Sequence, residues 1–234
     1  MKYYKTDSRK ISYVEYWHLS RKGFLLGWWN KLIGKQMNLV RGIPGPTPLA
    51  DRIISAGAVP AEIRHRLEHG ISDLRAVGFD QFWYYSSKGS LTGGLSYAVE
   101  ALHSSRQILA KVIYVFYRNR ERTVIYLVSG LPNDTLLATT NKKRDFTPRP
   151  GHIVQRKVGA DAKYLIDLHQ QKLSQLTAGQ PALVFNNLEA VTAFEDKFLR
   201  ESYDHKIRRG TWVEMTEAEV AALRAQRTPP PLPK

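Results

Sequence analysis

Between Leu95 and Asn141 the chain reads LSYAVEALHSSRQILAKVIYVFYRNRERTVIYLVSGLPNDTLLATTN, strand-length apolar runs separated by very short polar breaks. No other stretch restricts the fold as much. Ala110–Tyr117, Thr123–Ser129 and Thr135–Thr140 are rich in Val, Ile, Tyr and Thr, the residues that suit a pleated, half-buried surface. The breaks Arg118–Arg122 and Gly130–Asp134 are short, and the second carries Gly, Pro, Asn and Asp, which turns select. Connections this short join antiparallel neighbours. The expectation is an antiparallel meander. Counting Phe79–Ser86 before this run and a strand near His152–Val158 after it, the sheet has about six strands. Helices flank it on both sides in sequence, which makes the fold class α+β.

Strand periodicity places side chains. Leu95, Tyr97, Val99, Ala101 and His103 share one face, and Ser96, Ala98, Glu100 and Leu102 the other. Val112, Tyr114 and Phe116 alternate with Lys111, Ile113, Val115 and Tyr117, so both faces of that strand are largely apolar. A strand of this kind is central and covered on both sides.

Helix signals surround the sheet. Ile63, Leu67, Ile71, Leu74 and Val77 form one stripe after Pro60, and Gly78 supplies the stop. Thr47 and Pro48 predict a short helix reaching about Ala56. Asp161 caps a helix to Leu176, Asn187 caps one carrying Leu188, Val191, Phe194 and Phe198, and Thr216–Glu219 is a capping box. Gln180–Phe185 reads as a short strand. The sequence divides into a basic, aromatic arm (1–46), an α+β body (47–226) and a Pro-rich tail (227–234), with the Gly42–Pro48 stretch as the break between arm and body. In the tail, Arg227, Pro230 and Pro233 have the spacing of a polyproline ligand, though a disordered end is the simpler expectation.

Charge bears most on function. Thirty-five Lys and Arg against 21 Asp and Glu give +14, a field that favours nucleic acid or an anionic membrane surface. Residues 1–46 hold nine cations and two acids, a net +7, together with Trp17, Trp28 and Trp29. From Phe24 to Val40 the apolar residues follow a helical period. Phe24, Leu25, Trp28, Trp29 and Leu32 lie on the broad apolar sector, with Lys31 and Lys35 flanking it. This is the composition of a helix in a membrane interface, and equally of a helix docked on protein. Gly23, Gly27 and Gly34 weaken it in isolation. A second basic concentration joins Arg118, Arg120 and Arg122 with Lys142, Lys143, Arg144 and Arg149. Residues 142–157 carry six cations and one acid. These loops are candidates for binding phosphates.

Catalytic signals are weak. The chain has no cysteine, which removes thiol chemistry and Cys-based metal sites and fits a reducing, cytoplasmic compartment. The glycine-rich SSKGSLTGG loop matches neither nucleotide-binding pattern, so no cofactor is expected. His65 and His69 lack a third ligand, and no metal is expected there. His103 reads as a turn histidine and His169 as a core histidine with partnered nitrogens. Tyr203, Asp204 and His205 hold acid–base groups, but adjacent helical residues point apart. No run of apolar residues is long enough to span a bilayer, and no secretory signal opens the sequence. The leading expectation is a non-catalytic adaptor that docks through its arm on a protein partner or an anionic membrane, as a cytoplasmic or membrane-peripheral protein. The alternatives are a nucleic-acid-binding module, and a hydrolase-like enzyme working through His103 or the Tyr203–His205 group.

Overall fold

The computed structural model describes residues 2–12, 15, 29, 32–34, 42–87, 95–117, 120–142, 150–178 and 180–225. Near the N-terminus lie the short strands β1 (Tyr3–Thr6) and β2 (Ile43–Pro44). The strands β3 (Ile53–Ile54), β4 (Phe79–Ser87), β5 (Leu95–His103), β6 (Leu109–Tyr117), β7 (Arg120–Leu131), β8 (Thr135–Thr140) and β9 (His152–Arg156) follow. They form one sheet in that order, with β6 in the middle. The last strand, β10 (Trp212–Glu214), returns to the N-terminus, giving a small sheet of order β10-β1-β2. The helices are α1 (Ala61–Ala76), α2 (Ala162–Leu176), α3 (Leu188–Arg208) and α4 (Glu217–Ala225). The class is α+β.

The large sheet is seven-stranded and mixed, which corrects the expected six-stranded antiparallel meander. An edge strand at Ile53–Ile54 precedes the predicted set and pairs antiparallel with β4. At the other edge β9 runs parallel to β8, from Leu136 opposite His152 to Thr140 opposite Arg156. The short-connection argument applies to Arg118–Arg122 and Gly130–Asp134 and does not reach residues 141–151, which join a parallel pair. Eleven residues reach about 36 Å when extended, against about 17 Å needed to run back along a five-residue strand.

Period-2 and period-3.6 patterns meet as expected in the core. Tyr97, Val99, Ala101, Val112, Ile125 and Leu127 face α1 and α2. In α1, Ile63, Leu67, Ile71 and Leu74 are buried on that face, and Gly70 lets the helix approach β6: a Cβ there would lie 2.9 Å from Val112 Cγ1. The helix stops before Gly78, whose φ of +96° suits glycine. Asp161 caps α2 by accepting from Tyr164 N–H at 2.8 Å. On the opposite face, Leu102, Leu109, Leu136 and Ala138 meet Val191, Phe194 and Phe198 of α3. Asn187 caps that helix, accepting from Ala190 N–H at 2.9 Å.

Helix α3 is long enough, at about 30 Å, to serve both sheets. Its first half covers the large one. Further along, Tyr203 packs edge-on to Trp212 of β10, ring centres 4.8 Å apart, and donates its hydroxyl to the Pro44 carbonyl at 2.8 Å. Beyond its end, Arg209 holds Glu15 through two bonds of 3.0 Å. Thr216 and Glu219 form the predicted capping box, and Val220 and Leu223 of α4 pack on Tyr3 and Met215.

Two local expectations are overturned. Residues 47–56 form no single helix; 3-10 turns at Ala50–Arg52 and Ala56–Ala58 flank β3, whose two residues pair with Tyr84 and Tyr85 of β4 at the sheet edge. Gln180–Phe185 is not a strand. It is tied across by Leu183 N–H to the Gly130 carbonyl and Phe185 N–H to the Arg106 carbonyl. The tail beyond Ala225 lies outside the described residues.

Candidate functional site

Three regions have a claim: the aromatic arm, the basic loops, and a cleft where the two sheets meet. In the arm, Trp29 and Leu32 are helical, and Ile33 N–H closes onto the Trp29 carbonyl at 3.1 Å. Gly34 takes φ +68°, and residues 35–40 lie outside the described residues. Trp29, Leu32 and Ile33 are 58%, 55% and 55% exposed. Phe24, Leu25, Trp28, Lys31 and Lys35 lie outside the described residues.

Arg120 and Arg122 are the first and third residues of β7, and Lys142 follows the end of β8. Thr140 pairs with Tyr126, and Asn141 N–H reaches the Ile125 carbonyl, so the chain leaving β8 heads toward the β6–β7 tip. Arg120, Arg122 and Lys142 therefore lie toward one end of the sheet. Lys142 is half-buried, and its N–H donates to Thr140 Oγ1 at 3.1 Å. Arg118, Lys143, Arg144 and Arg149 lie outside the described residues.

The histidines have structural settings. His103 Nδ1 accepts from Ser105 N–H at 3.1 Å, its ring packs edge-on to Phe79, and burial lowers its pKa. His169 is fully buried, with Nε2 3.0 Å from Ser129 Oγ and Nδ1 2.9 Å from Thr139 Oγ1. Burial alone pushes its pKa down to about 4, so the ring is neutral. A Ser–His pair at this spacing resembles a nucleophile and its base, but both side chains are sealed from solvent. They act as a hydrogen-bonded tie between α2 and the sheet. His69 approaches Asp73 to 3.8 Å on the surface. No group of three or more metal-ligating side chains occurs among the described residues. Tyr203, Asp204 and His205 do not converge: Tyr203 points inward to Pro44, whereas Asp204 is exposed.

What the sequence did not announce is a charge cluster buried under α3. Glu100 of β5 is 1% exposed. Lys111 Nζ of β6 lies 3.6 Å from it and 2.6 Å from Glu195 of α3. Two carboxylates share one ammonium. Burial pushes the Glu100 carboxyl up to about 7; Lys111 opposes that rise and Glu195 adds to it. Lys111 is raised well above its ordinary value, the two carboxylates outweighing the opposing effect of burial. Tyr85 of β4, whose ring lies 5.4 Å from Lys111 Nζ and 5.9 Å from the Arg52 guanidinium, completes the cluster. The only signal in the sequence was alternation, which put Glu100 between Ala98 and Leu102 on an apolar face.

Arg52 also lines a cavity of about 370 Å³, together with Pro44, Thr47, Ser86, Leu199 and Tyr203. It sits where β2, β3 and α3 meet. No family model matches the chain, and no curated protein or solved structure matches it.

Proposed function

We propose that the protein is a non-catalytic docking protein that attaches to an anionic membrane surface, on the cytoplasmic side, through its N-terminal arm. The observation that carries this reading is the exposure of Trp29, Leu32 and Ile33 on one turn, within a segment of net charge +7. Monomeric surfaces tolerate scattered apolar residues, but adjacent large ones next to cations suit a headgroup boundary. Each such side chain contributes roughly 1.5–3 kcal/mol if fully withdrawn from water, and each nearby cation about 1 kcal/mol at an anionic surface. Together these suffice for reversible attachment. Among the described residues no helix is long and apolar enough to cross a membrane.

The test is co-sedimentation of the full chain with vesicles of phosphatidylcholine alone and of phosphatidylcholine with phosphatidylserine. The expected result is binding to the anionic vesicles, with a blue shift of tryptophan emission. Trp29→Ser combined with Leu32→Ser should weaken it by more than about tenfold. Absence of binding to anionic vesicles by the unaltered chain would overturn the reading.

A second reading, nucleic-acid binding, is favoured by one observation: Arg120 and Arg122 at the start of β7 and Lys142 just after β8 lie toward the same end of the sheet. It predicts affinity for a short duplex that falls steeply with salt. Lys142→Gln with Arg122→Gln would flatten that slope, and a salt-independent interaction would dismiss it.

A further inference from the structure

We infer that the cleft between β2, β3 and α3 is a binding site for a small monocarboxylate with an apolar body, its carboxylate seated on the Arg52 guanidinium. Arg52 stands at the wall of the cavity, on the 3-10 turn that leads into β3. Its Nε is buried and makes no hydrogen bond, and the side chain has no carboxylate partner among the described residues. A guanidinium presents a planar fork matched to a carboxylate, and a partly buried one without a partner is costly to keep. Its position over the Tyr85 ring, 5.9 Å from the centre, holds the group in place without using its donors.

The walls decide the class of ligand. Pro44, Pro46, Ile54 and Leu199 supply apolar surface, and Thr47, Ser86 and Tyr203 supply hydroxyls. A volume of about 370 Å³ falls at the lower end of small-molecule sites. Asp51 lines the same cavity. Its charge opposes a dianion such as phosphate more than a monocarboxylate. The cleft is also preorganised. Gly45 N–H is fixed to the Lys2 carbonyl at 2.8 Å, and Tyr203 anchors Pro44. The prolines around them have little freedom left to lose.

Binding here is coupled to a proton. Arg52 is one of four groups acting on Glu100, with Lys111 from β6, Glu195 from α3 and Tyr85 from β4. Its positive charge helps to hold Glu100 ionised. A carboxylate placed on Arg52 competes for that charge, so binding draws a proton onto Glu100. Affinity then falls as pH rises and Glu100 ionises.

The experiment is calorimetric titration of the full chain with benzoate, acetate and inorganic phosphate at about pH 6 and about pH 8. Saturable benzoate binding is expected, tighter than acetate or phosphate, with affinity at least about threefold higher at the lower pH. Arg52→Gln should weaken it at least about tenfold. Leu199→Trp, which fills the cleft and leaves its charge intact, should do the same, with circular dichroism confirming the fold of each variant. Glu100→Gln should retain binding and lose its pH dependence. No saturable benzoate binding overturns the proposal, as does binding that survives both Arg52→Gln and Leu199→Trp. A preference for phosphate overturns the assignment of a monocarboxylate.

Discussion

Glu100→Gln is the most informative single change, because the structure gives its sign at each pH. The carboxyl is displaced from the ordinary 4.5 up to about 7, chiefly by burial. Below about pH 4.5 both folded and unfolded chains hold this proton. Between about 4.5 and 7 only the folded chain does, and above 7 both have lost it. The folded state binds the proton more tightly, so this group makes stability fall as pH rises through that window. A displacement of this size corresponds to about 3 kcal/mol, and at 1% exposure solvent does little to screen it. Glutamine keeps the shape and removes the charge. Lys111 keeps its bond to Glu195 at 2.6 Å, so no unpaired ammonium is left behind. The variant should gain about 2–3 kcal/mol relative to the unaltered chain on going from about pH 5 to pH 8.

His169 supplies the opposing slope. Its pKa is lowered from 6.5 to about 4 by burial. A depressed folded value means stability that is full above the unfolded value and is lost as pH falls toward 4, again by about 3 kcal/mol in total. Between about pH 4.5 and 6.5 these two contributions oppose one another. In Glu100→Gln the histidine slope is left uncompensated. Urea unfolding, followed by circular dichroism at about pH 5, 6.5 and 8, reads both. If the free-energy difference between variant and unaltered chain is the same at all three values, Glu100 does not carry a raised pKa and the buried-cluster argument fails.

Two further substitutions probe the scaffold. Gly70→Ala should destabilise by roughly 1–3 kcal/mol, although alanine is the better helix former by about 1 kcal/mol. The new Cβ would lie 2.9 Å from Val112 Cγ1, and a rise in the urea midpoint would show that α1 can step back from β6. Arg209→Met leaves the Glu15 carboxylate, 1% exposed, without its bidentate partner. Ser12 N–H and Oγ still donate to that carboxylate, so the expected loss is roughly 1.5–3 kcal/mol at neutral pH, largely recovered by adding Glu15→Gln. Equal losses in the single and double variants would mean that the pair is not what fastens this segment to the end of α3.

The parts of the fold that could be read from the residues are those governed by short-range rules. Caps at Asp161, Asn187 and Thr216 need only a side chain and an N–H two or three residues on, and all three form. The alternation in β5 and the doubly apolar β6 follow from a period of two, and β6 does lie at the centre of the sheet. What escaped notice depends on distant partners. Tyr3–Thr6 has no strand pattern of its own and is extended because Trp212–Glu214 and Ile43–Pro44 pair with it. β9 is parallel because a linker of eleven residues suffices to bring it back, which composition does not reveal. The same reasoning explains why the cleft was missed. Arg52, Ser86, Leu199 and Tyr203 lie on three different elements and become neighbours only when α3 bridges the two sheets. In the sequence Glu100 and Lys111 are single charges on otherwise apolar strand faces, and alternation alone does not say what they meet. They are buried because Glu195, 84 residues beyond Lys111, arrives with α3 to cover them. Burial of a charge is a property of the assembled layers, so the residues with the most perturbed chemistry here are also those the local pattern marks least.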